Sequence, residues 1–579
     1  MYFKSIKKIY QILNNKEKLI VSIFFISTFF NIIIETISIG TIIPIVSIIN
    51  ESNFTTGIQF LDEKIFFRFN NLELQSKIYL IVKLLLILFF VRFLIQMLIL
   101  KIRVNFIFTV TAGLQKRLMY KYMHLKWLDY SGHGTKLIRN IQSDTGLFKS
   151  SVLGPIMDLI SEVLLFILIV SFLILYNPNI TLVALLLFSV IIVLINLFSK
   201  HKLKKLSNKR TGILDNQVKI IYEIINNIKD ITINFKKKFY YNKFVSYNEK
   251  NLNISKEYTL LTAIPRPIIE FSMIVLLCLL ILFAYYFSYT NMEILKILGL
   301  FVAATYKLGP SASKILIATQ SFRLGKVILA NIHNELQDFD FKKKSLFKFI
   351  IKKKFRKKIE FKNVSFCYPK NKRKLILDKI NITIKRFSKI GIIGLSGEGK
   401  STLVDMIAGL IEPNHGKIYI DGNSKNLTET DWRKNVNYVS QSTSLFDDSI
   451  RNNIVFDKKL SLKDKIKLKK IIKICLLEKF IESKPEKLET NLGELNSKQI
   501  SGGEKQRLLI ARALFSNPEI LILDEAINAL DPQSSGKIIN NLKKFCKNLT
   551  IIFISHNYKH LTLCENVYKL QGKKLKKIK

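Results

Sequence analysis

The sequence predicts two fold classes in tandem: an α-helical membrane domain of six transmembrane helices, then an α/β domain built around a phosphate-binding loop. Three observations predict this. Apolar runs long enough to cross a bilayer core, which takes about 20 residues each, fall within the first 320 residues. The pattern GxxxxGK[ST] occupies Gly394–Ser401, between an apolar strand and a helix. A lysine-rich stretch reading DFDFKKKSLFKFIIKKKFRKK separates the two regions. The expected division is a membrane domain with cytosolic extensions over 1–337, a basic linker over 338–358 and an ATPase domain over 359–579.

Composition supports the membrane half. The 579 residues are 49% hydrophobic and 23% charged, yet mean hydropathy is +0.22, too apolar for a soluble chain so charged. The net charge of +47 invites a nucleic-acid partner, since basic stripes follow phosphate backbones. Lysine greatly outnumbers arginine beside abundant Ile, Asn and Phe, which points to an AT-rich genome. Much of the remaining excess lies in loops beside apolar spans, where it fixes orientation. No groove-reading helix or ribbon is evident, so no nucleic-acid partner is expected. The five cysteines are scattered without metal-ligand spacing, which suits a reducing cytoplasm. The basic segment Met1–Lys18 precedes an apolar run too long for a signal peptide, so it reads as a retained first span.

Six stretches qualify as spans: Leu19 to about Ile49, Ile78–Leu100, Val152–Tyr176, Ile180–Phe198, Ile268–Tyr289 and Ile294–Leu316. Gly40 and Pro44 mark the outer part of the first, and Lys307 and Pro310 interrupt the sixth. Segments 1–18, 101–151 and 199–267 are long and lysine-rich, which places them in the cytoplasm of a multi-pass protein. Helical spacing of apolar residues over Val104–Met123 and Asn216–Ile233 predicts helices that carry spans into the cytosol. Ionisable groups in hydrocarbon are costly and mark a substrate path or a buried pair. Among Asn31, Glu35, Arg92, Glu162, Glu270 and Lys307, the substrate-facing candidates are Glu35, Arg92 and Lys307. A purely structural role for the group stays open. The outer segment Ile58–Phe69 reads either as a short amphipathic helix or as an ordinary loop.

The second half carries the chemistry. Gly394-Leu395-Ser396-Gly397-Glu398-Gly399-Lys400-Ser401 follows the strand Lys389–Ile393 and leads into a helix from Thr402. The glycines let backbone N–H groups face phosphates, and the helix N-terminus adds partial positive charge. Lys400 is then expected on the β- and γ-phosphates of ATP, and the Ser401 hydroxyl on Mg²⁺. The strand Ile520–Leu523 delivers Asp524 to the carboxyl edge of a parallel sheet, where it would hold Mg²⁺, with Glu525 placed to polarise the attacking water. Ser501-Gly502-Gly503 opens the helix Glu504–Ser516, a second phosphate-facing N-terminus. One nucleotide does not need two such sites in one subunit. The economical arrangement is a head-to-tail dimer in which Ser501–Gly503 caps the partner's ATP.

Ile500-Ser501-Gly502-Gly503-Glu504 resembles the LSGGQ signature of the ABC transporter ATPase, with Ile and Glu for Leu and Gln. The resemblance implies further roles. Tyr368 would stack on adenine. Gln441 would contact Mg²⁺ and water and face the membrane domain. His556 would contact the γ-phosphate. Thr490–Glu494 resembles the exporter TxxGE segment, with Asn496 at a usual glycine, and Asn528-Ala529-Leu530-Asp531 resembles the SALD loop. With Glu525 and His556 both present, a hydrolysis-dead regulator is disfavoured.

Six spans followed by this ATPase resemble the type IV exporter half-transporter. That implies a homodimer in a bacterial inner membrane with the N-terminus and ATPase domain cytoplasmic. It also implies coupling regions near Leu125–Gly134 and Asn226–Lys237. The segments Ile34-Glu35-Thr36, Ile43–Val46 and Pro265-Arg266 with Glu270 resemble the flippase of lipid-linked oligosaccharides. A cationic cavity built on Arg92 and Lys307 would suit such a substrate. A peptide, bacteriocin or drug exporter of the same architecture stays open, and a non-transport ATP-binding protein acting on nucleic acid is the remote alternative.

Overall fold

Backbone amides in hydrocarbon have no water to bond, so a long apolar run satisfies them by coiling into helix. The computed structural model describes residues 2–40, 74–130, 134–286, 291–337, 339, 355–369, 374–424, 427, 431–440, 443–456, 459–492, 500–528, 530–556, 561 and 564–579. Among the described residues, six helices are long and apolar enough to cross a membrane. The chain divides into one unit of Met1–Leu125 with Gly132–Lys344 and another of Lys126–Ser131 with Ser345–Lys579. Pro44, the segment 58–69, most of the linker, Gln441, 493–496 and Ala529 lie outside the described residues.

In the first unit, α1 (Tyr2–Ile12) and α2 (Asn15–Gly40) break where the Asn14 N–H donates to Glu17 Oε2 at 2.8 Å. Arg117 donates to the Ile12 carbonyl at 2.6 Å, satisfying an orphan acceptor at the end of α1. The second expected span and the extension expected after it are one helix, α3 (Leu74–Met123). Its 50 residues reach about 75 Å at the helical rise. Leu86 and Phe90 on α3 stay exposed, as a lipid-facing side requires. Helix α5 (Gly134–Tyr176) contains two π-helical stretches, Asn140–Asp144 and Lys149–Leu153.

Helix α6 (Pro178–Asn226) starts on Asn177, whose side chain accepts from the Ile180 N–H. The extension expected as a single helix over Asn216–Ile233 breaks at Asn227, giving a separate α7 (Ile228–Ile233) before α8 (Lys237–Ala263). Helices α9 (Pro265–Tyr286) and α10 (Asn291–Gln337) complete the unit. Lys307 and Pro310 do not interrupt α10. A proline removes one ladder bond, which a 47-residue helix with a long buried face tolerates. Gly325 on α10 lies so close to α5 that an added Cβ would stand 2.4 Å from the Ser151 carbonyl oxygen. Ile169 and Leu173 of α5 pack with Ile269 of α9 and Leu300 of α10 in one core. Val110 and Leu114 of α3 share another with Phe148 and Phe322.

In the second unit, β1 (Lys358–Phe366), β2 (Leu377–Lys385), β4 (His415–Ile420) and β5 (Asn423–Ser424) form an antiparallel sheet ordered β2-β1-β4-β5. A second sheet is ordered β10-β9-β3-β8-β7-β6. Its strands are β3 (Lys389–Ile393), β6 (Val436–Val439), β7 (Ile520–Asp524), β8 (Thr550–Ile554), β9 (Asn566–Gln571) and β10 (Lys574–Lys577). All its pairings are parallel except β9 with β10. The apolar runs of β3, β7 and β8 are buried on both faces, the usual state of parallel strands under helices. Helix α11 (Lys400–Ile407) follows β3; α12 (Ile450–Val455), α13 (Leu462–Ile474) and α14 (Glu478–Glu482) follow β6; α15 (Gly502–Phe515) precedes β7 and α16 (Pro532–Phe545) follows it. The short α4 (Trp127–Tyr130) belongs to this unit, with Leu128 packed against the core of Phe355, Ile407 and Trp432. Parallel order brings the carboxyl ends of β3, β7 and β8 to one edge, where open α/β sheets bind ligands.

Candidate nucleotide site and membrane cavity

At that edge β3 gives way to the glycine-rich loop. Gly397 and Gly399 hold φ of +82° and +99°, which only glycine adopts freely. A Cβ on Gly399 would also stand 2.9 Å from Ile376. The helix begins at Lys400, two residues before the expected Thr402, so the N–H groups of Lys400, Ser401 and Thr402 are helix-start donors without an intrahelical partner. Lys400 is buried, and its Nζ donates to the carbonyls of Gly394 and Leu395 at 2.8 and 2.9 Å. Glu398 Oε2 accepts from the Leu395 N–H at 2.8 Å, so the loop carries its own brace. Ser396 and Ser401 are exposed. Tyr368, partly exposed, lies with its hydroxyl 3.1 Å from Thr402 Oγ1.

Asp524 closes β7, and its Oδ2 accepts the Tyr438 hydroxyl at 2.7 Å. Burial pushes the Asp524 carboxyl above the usual range. Glu525 follows in the left-handed region, φ +52°, an uncommon conformation for a non-glycine residue. Its N–H donates to the Ile554 carbonyl at 3.0 Å, and its Oε1 lies 2.9 Å from His556 Nε2. Lys400 Nζ is 3.5 Å from the same ring nitrogen. The fold thus gathers the loop, Lys400, Thr402, Tyr368, Asp524, Glu525 and His556.

It does not bring Ser501 to them. Ser501 caps α15, and its hydrogen bonds among the described residues close within that helix: its hydroxyl donates to Glu504 Oε2 at 2.8 Å and accepts the Glu504 N–H at 3.2 Å. Gly502 and Gly503 form the first turn of α15. Asp531 caps α16, accepting the Ser534 N–H at 2.8 Å. Two residues near the site escaped the sequence reading. Tyr438 stands on β6 beside β7. Asp405 lies one helical turn past Ser401, and burial, then the charge of Asp524, pushes it up to about 6. The available signal was an acidic residue among the apolar positions of α11.

In the first unit, a cavity of about 890 Å³ is lined by residues that include Asn31, Glu35, Glu162, Lys307 and Lys314. Glu35 Oε1 takes both expected cations, Arg92 at 2.8 Å and Lys307 at 2.5 Å. Arg92 is buried and is not among the residues lining the cavity. Lys314 pairs with Glu162 at 2.7 Å.

A family model described as the ABC transporter transmembrane region matches residues 19–310, and one described as ABC transporter matches 377–528. The chain belongs to the ABC transporter family. With one membrane domain and one nucleotide-binding domain, this ABC transporter is a type IV half-transporter and a multi-pass membrane protein. The solved structure of a bacterial Atm1-family ABC exporter with ATP bound superposes with TM-score 0.73 at 18% identity, covering 94% of each chain, so the two share a fold.

Sequence relatives match shorter stretches. A Rickettsia typhi protein named for an export ATP-binding/permease role is 39% identical over 199 residues, 34% of each chain. The toxin RTX-III translocation ATP-binding protein of Actinobacillus pleuropneumoniae is 40% identical over 200 residues, 34% of this chain and 27% of that one. The ATP-dependent lipid A-core flippase of Haemophilus influenzae is 39% identical over 202 residues, 34% of this chain and 33% of that one. The ABC transporter thus matches only about a third of the length of these relatives.

Proposed function

We propose that two copies of the chain form a homodimer that hydrolyses ATP to export or flip an amphipathic substrate across the bacterial inner membrane. A lipid-linked oligosaccharide or other glycolipid is the leading candidate, and the N-terminus and ATPase domain face the cytoplasm. One observation carries this reading: Lys400, Asp524, Glu525 and His556 share one sheet edge in a chain whose described residues also include six membrane-length helices.

In this reading the N–H groups at the start of α11 and Lys400 bind the phosphates, and Tyr368 stacks on the adenine. Lys400 exchanges its loop carbonyls for phosphate oxygens. Glu525 polarises the attacking water, and His556, already paired with Glu525, contacts the γ-phosphate. Ser501, Gly502 and Gly503 of the partner copy cap the nucleotide, with Asp531 beside them. That, among the described residues, the hydrogen bonds of Ser501 close within its own helix supports a site completed by a second chain.

Mg²⁺ takes hard oxygen ligands and is commonly bound by one or two protein groups plus phosphate oxygens and water. The exposed Ser401 hydroxyl and the Asp524 carboxylate fit that demand. With Gln441 they are the residues that would hold the ion, which neutralises charge on the phosphates.

The cavity supports an amphipathic substrate because apolar wall and ion pairs lie side by side. Arg92 and Lys307 share one carboxylate, so the cationic excess there is a single charge rather than two. The lipid A-core flippase relative favours a glycolipid, and the toxin translocation relative favours the peptide alternative. ATP-dependent translocation of a fluorescent lipid-linked glycan in proteoliposomes tests the choice. Transport of peptide without glycan would reverse it.

A further inference from the structure

The carboxylate of Asp524 has a neighbour that no motif assigns. β6 and β7 pair in parallel, with Tyr438 opposite Ile522 and Val439 opposite Leu523. From that register, two residues short of the end of β7, the Tyr438 hydroxyl donates to Asp524 Oδ2 at 2.7 Å. A phenol has one proton to give, and this one is committed to Asp524. The bond occupies one carboxylate oxygen and restricts rotation of the other.

We propose that Tyr438 is a positioning residue for metal binding: it anchors Oδ2 of Asp524 so that Oδ1 stays turned toward the phosphate loop as the oxygen open to Mg²⁺. The proposal rests on the reading of Asp524 as a metal-holding residue. It assigns Tyr438 no contact with nucleotide. A fixed carboxylate loses less freedom when the ion binds, so the effect belongs in metal affinity rather than in nucleotide affinity or in the maximal rate.

The test uses full-length homodimer in detergent, Mn²⁺ as a spectroscopically visible substitute for Mg²⁺, and a fluorescent ATP analogue. For Tyr438→Phe, Mn²⁺ binding in the presence of ADP should weaken roughly three- to tenfold, the worth of one hydrogen bond of ordinary net strength. Metal-free affinity for the analogue should not change. The Mg²⁺ concentration for half-maximal ATPase activity should rise in parallel, with kcat at saturating Mg²⁺ nearly retained. Tyr438→Met removes ring and hydroxyl together; a loss in Met that is absent in Phe assigns the effect to packing and overturns the proposal. Unchanged Mn²⁺ affinity in Tyr438→Phe, beside a clear loss in Asp524→Asn, overturns it while leaving the site reading intact. Unchanged affinity in Asp524→Asn as well removes the site reading itself.

Discussion

Glu525 Oε1 and His556 Nε2 lie 2.9 Å apart across the ends of two neighbouring strands, and Glu525 reaches that position with a left-handed backbone. Sparsely populated conformations of this kind persist where the surroundings over-determine them, and they cluster at functional sites. Here the Glu525 N–H is held by the Ile554 carbonyl, so its side chain is aimed by the sheet edge.

Glu525→Gln should therefore keep the geometry and lose the base. ATP should still bind, while turnover falls by about 10² to 10⁴, the usual worth of a positioned proton acceptor. Phosphate release measured beside nucleotide retention checks this, and wild-type turnover would end the assignment.

Lys400→Ala should weaken ATP binding about ten- to a hundredfold, because a buried charge-assisted contact is lost. Equilibrium titration with a fluorescent nucleotide is the measurement. Retained affinity would count against a phosphate role for this lysine, whose Nζ already sits among the loop carbonyls.

Glu35→Gln should destabilise the membrane domain. Arg92 and Lys307 both bind its Oε1, so the change leaves two cations facing each other without a counter-charge. Removing one partner from a buried ion pair costs about 3–5 kcal/mol, and the partial exposure of Lys307 puts this case near the lower end. Thermal unfolding in detergent should show the loss. The double change Glu35→Gln with Lys307→Gln should lose less than the single one; a strictly additive result would show that the two do not interact.

Gly325→Ala should fail to pack, since its Cβ would meet backbone of α5 at 2.4 Å. Overpacking of this type costs about 1–3 kcal/mol. A melting temperature equal to wild type would mean that α5 and α10 can separate freely at this crossing.

Asp405 should make the nucleotide-free protein sensitive to pH. Its folded pKa of about 6 exceeds the ordinary 3.8. Such a group favours the fold fully below about pH 4, and that contribution is lost as pH rises through 6. With its partial exposure the loss is about 1–2 kcal/mol. Asp405→Asn should thus gain stability over wild type above pH 6 and little below pH 4, as read by unfolding at both pH values.

Much of the fold was legible because its chemistry is local. Phosphate binding demands glycines and a lysine at fixed spacing, so β3 falls on the expected Lys389–Ile393. Bilayer thickness sets run length, so six spans could be found from apolar runs. Features set by pairing between distant segments were not legible. Glu35 as common partner of Arg92 and Lys307 depends on three helices meeting. The Tyr438–Asp524 bond depends on β6 lying beside β7, which no periodicity announces. The π-helical stretches of α5 have no composition signal either. The break at Asn227 was missed because the apolar spacing continues across it.

The short helix α4 has a consequence for how the protein is made. The second unit takes Lys126–Ser131 into its fold although the rest of that unit is synthesised only from Ser345 onward. Leu128 must wait while most of the membrane domain emerges, then find a surface beside Trp432. Closing such a distant contact is slow relative to local structure, so the nucleotide domain finishes after insertion has already placed α4. A fragment starting at Ser345 should leave an apolar notch uncovered and aggregate more readily than the full chain. Assembly order is thereby tied to the position of one turn of helix.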